Sequence, residues 1–98
     1  MAQVSWTAEA EGWLHEIHEH ISLQQPAAAL EMVLGILDRA STLADFPQTG
    51  TLYRVDEGQE IRILMHGHYR IAYLIASNEY IVVLGVFHDA MDLERYLR

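Results

Sequence analysis

An α+β fold, β-α-α-β-β-β with a helix hairpin packed on an antiparallel meander, is predicted by three features of the chain. The first is the stretch from Ile61 to His88, IRILMHGHYRIAYLIASNEYIVVLGVFH, in which three apolar runs are separated by HGH and SNE. Each run is rich in Ile, Val, Leu and Tyr, and the interruptions carry Gly or Ser-Asn, the pattern of strands joined by tight turns. The second is a pair of upstream segments whose apolar residues recur at i, i+3, i+4 and i+7, the spacing of helices that bury one face. The third is the break at Leu23-Gln24-Gln25 followed by Pro26, which suits a short loop and the first position of a second helix, where a missing N–H costs nothing.

Taken in order, Val4 and Trp6 alternate with Gln3 and Ser5 as in a half-buried strand, and Thr7 has the chemistry of a helix N-cap. A first helix is predicted from Ala8, with Glu9 and Glu11 at its positive end. Its buried stripe is Ala10, Trp13, Leu14, Ile17 and Ile21, leaving Glu11, His15, Glu16 and Glu19 toward water. In the second helix Ala29, Met32, Val33, Ile36, Leu37, Ala40 and Leu43 form the buried stripe, and Leu30 and Leu34 widen it beyond what one amphipathic face needs. Phe46-Pro47-Gln48-Thr49-Gly50 ends the helical region, and Thr51 to Gln59 reads as a polar connection through Asp56-Glu57-Gly58. Both parities of the last two strands are apolar, so the sheet needs cover on two faces. The helices supply one cover; Met91 to Arg98, or a second protein, supplies the other.

The chain has 98 residues, the size of a single domain, so one domain over 1–98 is expected. Its apolar runs fall short of the roughly 20 residues of a membrane helix, and no association with a membrane is expected. There is no cysteine, which excludes disulfides and thiolate metal sites. The N-terminus lacks the basic and apolar regions of a secretory signal, so a cytoplasmic protein is expected. Fourteen acids face six arginines and no lysine, for a formal charge of −8. Binding along a nucleic-acid backbone depends on a positive field, so direct nucleic-acid binding is disfavoured.

The order of elements, with Trp6-Thr7 before the first helix, Pro26 with Ala28-Ala29 opening the second, Leu43 followed by Phe46-Pro47 and Gly50, Arg62 with Leu64, Tyr69-Arg70-Ile71 followed by Tyr73, and His88 with Ala90-Met91-Asp92, resembles the RelE/ParE superfamily of type II toxin-antitoxin toxins. The resemblance covers nearly the whole chain. It implies one of two activities: RelE-like members cut messenger RNA on the ribosome, and ParE-like members inhibit DNA gyrase without cutting anything. The His88-x-Ala-Met-Asp92 tail is more similar to the ParE branch, that of plasmid stabilisation proteins. That reading implies a toxin that binds gyrase, is neutralised by a cognate antitoxin and needs no cofactor. A third possibility is a binding module with this fold and no toxicity.

A ribonuclease of this type needs a base for the 2′-hydroxyl, an acid for the leaving oxygen and cations for the charged phosphorane. Arg62, Arg70 and His88 are the catalytic candidates under that alternative. A His66-Gly67-His68 turn symmetric about Gly67 pairs Leu64 with Arg70 and Arg62 with Ala72, which places both arginines on one sheet face roughly 7–8 Å apart. A one-residue change of register puts them on opposite faces. The bland alternatives are that Arg62 and Arg70 pair with carboxylates such as Glu60 or Asp92, and that His88 bonds local backbone. Acids stand where RelE-like toxins are basic, at Asp56, Glu57, Glu60, Asp89 and Asp92, which favours the non-enzymatic branch.

Among other clusters, Glu11, His15 and Glu19 with His18 form an i+4 ladder of metal-ligand type, read here as a solvated helix face; His66 and His68 flank a turn and read as unliganded. No metal site is expected, and no serine has the setting of an activated nucleophile. Antitoxins of similar toxins wrap them as helix and strand, using an apolar groove and a sheet edge. The candidate antitoxin contacts are Leu23, Leu30 and Leu34, with Tyr53 and Tyr96 as anchors; ordinary internal packing is the alternative. Matching of potentials to the acidic chain predicts basic residues on the antitoxin segment.

Overall fold

A computed structural model describes residues 1–97; Arg98, the last residue of the segment expected to cover the sheet, lies outside the described residues. The elements follow in the order β1 (Gln3–Trp6), α1 (Ala8–Ser22), α2 (Pro26–Ser41), a single 3-10 turn (Thr42–Ala44), β2 (Thr51–Asp56), β3 (Gln59–His66), β4 (Tyr69–Ser77), β5 (Tyr80–His88) and α3 (Leu93–Tyr96). The five strands form one sheet in the order β1-β5-β4-β3-β2. β2 to β5 are an antiparallel meander, and β1 lies parallel to β5 at its outer edge. The fold is the mixed α+β architecture that the sequence predicts, with one strand more.

Local chemistry accounts for the helix boundaries. The Thr7 hydroxyl accepts the Ala10 N–H at 3.0 Å, closing one of the orphan donors of the first turn of α1. Pro26 occupies the start of α2. Ala10 and Ile17 of α1 and Ile36 and Ala40 of α2 are buried in one cluster with the sheet, and Ala29 of α2 is fully buried as well. The three alanine and isoleucine positions of α2 lie on one side of the helix, and the small alanines let it approach closely. Leu37, assigned by its spacing to that stripe, is instead exposed. It follows Ile36 by 100° around the helix and shares a solvent face with Leu30 and Leu34.

The polar connection expected over Thr51 to Gln59 is mostly strand. β2 pairs with β3 along its length, and the loop between them is only Glu57-Gly58, whose φ values of 50° and 82° are those of a tight hairpin. Two features hide this strand in the sequence. A bulge between Leu52 and Arg54 breaks the period-2 alternation, and an edge position tolerates the charges of Arg54 and Asp56.

The β3–β4 hairpin also differs from the symmetric turn. His66 pairs with Tyr69, so the loop is Gly67-His68 alone, with Gly67 at φ 59° in the position where a type II′ turn places glycine. Met65 therefore faces Arg70, and Arg62 faces Tyr73. Because side chains alternate along a strand, this one-residue shift separates the arginines. Arg62 lies on the helix-covered face with Tyr73, and Arg70 on the far face.

Two apolar clusters result. Under the helices, Ile36, Leu43, Leu64, Ile71, Tyr73 and Val83 are buried together, each such side chain contributing about 1.5–3 kcal/mol by leaving water. On the far face Ala72 and Phe87 are sealed by Leu93 and Leu97, so the C-terminal segment supplies the second cover. β1 pairs with β5 only as far as Val83. Beyond that point Trp13 of α1 meets Phe87 at a ring separation of 5.0 Å and Tyr96 at 5.3 Å, both edge-on, tying α1 to the C-terminal segment around the sheet edge.

Candidate functional site

Arg62 is held by its neighbours. Its Nε donates to Glu60 Oε1 at 2.7 Å, and its Nη1 to the carbonyls of Gly50 at 2.7 Å and Gln48 at 3.3 Å. Those carbonyls belong to the Phe46-Pro47-x-x-Gly50 turn, which Tyr73 grips from beneath. The phenol donates to the Pro47 carbonyl at 2.6 Å and accepts the Gly50 N–H at 2.9 Å. Only glycine fits there, because a Cβ on residue 50 would lie 2.8 Å from the Ile63 carbonyl and from the Tyr73 hydroxyl. Burial pushes the Tyr73 phenol above its ordinary value, although the Gly50 N–H and the Arg62 charge pull the other way. Together these contacts give the motif and Arg62 a structural role, the expected pairing with Glu60 included.

Arg70 serves the opposite face. Its Nη2 donates to the His88 carbonyl at 3.3 Å and to the Met91 carbonyl, pinning the chain where it leaves β5 for α3. Asp92 does not pair with it; that carboxylate caps α3 by accepting the Glu94 N–H at 3.1 Å. Arg54 performs the matching task at the end of the same segment, donating to the Leu97 carbonyl and to Asp56. His88 Nδ1 accepts the Ala90 N–H at 3.1 Å, the local backbone bond anticipated for it, and lies 3.2 Å from Asp89. Asp89 also meets His68 Nδ1 at 3.1 Å, and the two imidazoles stack with centroids 6.2 Å apart.

Of the three catalytic candidates, Arg70 and His88 are therefore adjacent through the His88 carbonyl, and Arg62 lies on the sheet face opposite to Arg70. Among the described residues no group of three metal-ligating side chains has the geometry to hold an ion. The α1 ladder reduces to His15 and Glu19 at 3.1 Å, both exposed, and His66 packs over Gly35 of α2.

The candidate antitoxin contacts divide in the same way. Tyr53 packs into the far-face cluster, and Tyr96 stacks on Phe87 at 5.6 Å. Both take part in internal packing on the side away from the helices. The leucines are free: Leu23 is 84% exposed, Leu30 54%, Leu34 55% and Leu37 39%. On α2 the last three follow one another at i, i+4 and i+7 and form an apolar stripe facing solvent. Leu37 belongs to it although its spacing equally fits the core, and the signal available in the sequence was the surplus width of the α2 apolar face.

Comparison with known proteins accords with this architecture. A family model described as the ParE toxin of the type II toxin-antitoxin system parDE matches residues 4–93. No curated protein is similar enough to match. A solved structure of a chromosomal ParDE toxin-antitoxin system from P. aeruginosa aligns with a TM-score of 0.72 at 20% identity, over 90% of this chain and 96% of that one. A toxin-antitoxin complex of M. tuberculosis, RelBE2, aligns with a TM-score of 0.51 at 28% identity, over 92% and 93% of the two chains. The fold and the family match define the class, a type II toxin of RelE/ParE architecture. Within that class the chain belongs to the ParE toxin family.

Proposed function

We propose that this ParE-family chain acts as a non-enzymatic toxin that inhibits DNA gyrase by binding it and is held inactive by a cognate antitoxin. The observation that carries the proposal is the separation of its cations. Arg62 is spent on the Phe46–Gly50 turn and Arg70 on the C-terminal segment, from opposite faces of the sheet. Stabilising a phosphorane needs preorganised cations converging on one point, and these two do not converge. The antitoxin reading is supported by the complexes of the two structural relatives and by the solvent-facing leucines of α2. The ribosome-dependent ribonuclease and the non-toxic binding module remain the competing readings. A supercoiling assay with purified gyrase and relaxed plasmid tests the proposal: the protein is expected to abolish supercoiling, and full activity at saturating protein would overturn it.

A further inference from the structure

The turn over 46–50 is fixed from several sides, and the first side chain it presents to solvent is aromatic. Tyr73 and Arg62 hold the carbonyls of Pro47, Gln48 and Gly50. Within the turn the Thr49 hydroxyl donates to the Phe46 carbonyl at 2.8 Å, and the Phe46 N–H donates to the Thr42 carbonyl at 3.0 Å. Phe46 itself is 66% exposed. One exposed apolar side chain is ordinary, but this ring borders a cavity of about 430 Å³, the size of a small-molecule site. Gln48 and Thr49 of the turn line it, with Ile75, Ser77 and Asn78 from the end of β4 and the loop that follows. β1 ties the two sides together: the Ala2 N–H donates to the Ala44 carbonyl at 2.8 Å, just before the turn, and the Gln3 N–H to the Glu79 carbonyl at 2.7 Å, just after Asn78. The site is therefore ordered before any ligand arrives, which removes a cost from binding.

In a chain of fourteen acids and six arginines, none of the side chains lining this cavity is ionisable. The Thr49 and Ser77 hydroxyls serve their own loops, Ser77 Oγ accepting the Glu79 N–H at 3.2 Å. The amides of Gln48 and Asn78 are exposed and have no protein partner among the described residues. An aromatic face beside neutral amides is the recognition chemistry of a nucleobase: the base stacks on the ring, and an Asn or Gln amide matches the paired donor and acceptor of adenine. A phosphate would need cations. The charges that adjoin the lining residues in sequence are the exposed carboxylates Asp45 and Glu79, and Arg62 is engaged by the turn carbonyls. We infer that this cavity binds a neutral purine nucleoside, stacked on Phe46 and hydrogen-bonded by Gln48 and Asn78, and that it rejects nucleotides and nucleic-acid strands carrying the same base. The site is separate from the α2 leucines and from Arg70 and His88, so the inference stands apart from the toxin reading.

Adenosine titrated into the isotope-labelled full chain tests it, beside AMP, ribose and a short single-stranded oligoadenylate. Adenosine is expected to give saturable amide shifts centred on residues 46–49 and 77–78, and to bind at least about 5-fold more tightly than AMP or the oligonucleotide, whose phosphates meet carboxylates. Ribose alone is expected to give no saturable shift. Phe46→Ala should weaken adenosine at least about 5-fold, the loss of one base stack. Phe46→Leu, which keeps an apolar side chain without a π face, should behave like Phe46→Ala, and Phe46→Trp should retain binding. Gln48→Ala with Asn78→Ala should weaken it as well, and Asp45→Asn with Glu79→Gln should narrow the gap to AMP. Amide spectra unchanged away from the turn show that each variant keeps the fold. The inference is overturned by the absence of saturable shifts up to the solubility limit of adenosine, by shifts centred elsewhere, or by undiminished binding to Phe46→Leu. AMP, oligonucleotide or ribose binding as tightly as adenosine would overturn it too. None of these outcomes is read from gyrase, so failure of this inference and failure of the toxin reading are seen separately.

Discussion

Replacing Tyr73 by Phe removes one oxygen atom from the centre of the molecule and tests whether the Phe46–Gly50 turn is held as described. The ring stays buried among Leu64, Ile71 and Val83, so the packing is retained. What is lost is the bond to the Pro47 carbonyl and the one from the Gly50 N–H, leaving a buried backbone donor without a partner. A net bond is worth about 1 kcal/mol and an unsatisfied buried group costs about 1–3 kcal/mol, so the variant is expected to lose about 2–3 kcal/mol. In urea, with a slope of about 1–1.5 kcal/mol per molar for a chain of this size, the midpoint should fall by about 2 M. Unfolding followed by far-ultraviolet circular dichroism and by tryptophan fluorescence measures it. Tyr80→Phe, at an exposed tyrosine of β5, serves as the control and should stay within about 0.5 kcal/mol of wild type. A Tyr73→Phe midpoint indistinguishable from that control would refute the turn-holding role.

The same phenol predicts an alkaline effect. Its folded-state pKa is raised by burial, so its stabilising contribution is complete below the unfolded value near about 10 and is lost as pH rises from there through the folded value; wild type should lose stability over that range more steeply than Tyr73→Phe. Gly50→Ala forces a Cβ to 2.8 Å from the Ile63 carbonyl and the Tyr73 hydroxyl and should cost about 2–3 kcal/mol in the same urea titration. Thr7→Ala removes the cap bond to Ala10 and should cost about 1 kcal/mol. Arg70→Ala releases the Met91 carbonyl, and hydrogen exchange should become faster in Leu93–Tyr96 and Leu97 while the amides of β3 and β4 keep their protection.

Local signals made the helices legible. Thr7 and Pro26 marked helix starts because capping and φ restriction act within a turn, and the stripe of Ala10, Ile17, Ala29, Ile36 and Ala40 followed from the helical period. The three apolar runs announced β3, β4 and β5 for the same reason. What stayed hidden was set by partners distant in the chain. β2 was masked because a bulge at Tyr53 offsets its alternation and an edge strand carries charges. The parallel pairing of β1 with β5 joins residues nearly eighty positions apart, with no local signal. The decisive detail is the smallest: of the two registers open to the His66–Tyr69 hairpin, a loop of Gly67-His68 rather than one centred on Gly67 turns Arg70 to the other face and dissolves the arginine pair. Tyr73 looked like one more apolar residue of a strand, and only its position under Gly50 gives its hydroxyl a task.

Whether this chain binds or cuts is measured most directly by mapping transcript 5′ ends on translating ribosomes after induced expression, beside an Arg70→Ala variant. With Arg62 and Arg70 held apart on the two faces of the sheet, the expected result is no new ends above those of uninduced cells. Codon-phased cuts that appear with the wild-type chain and vanish with Arg70→Ala would contradict it.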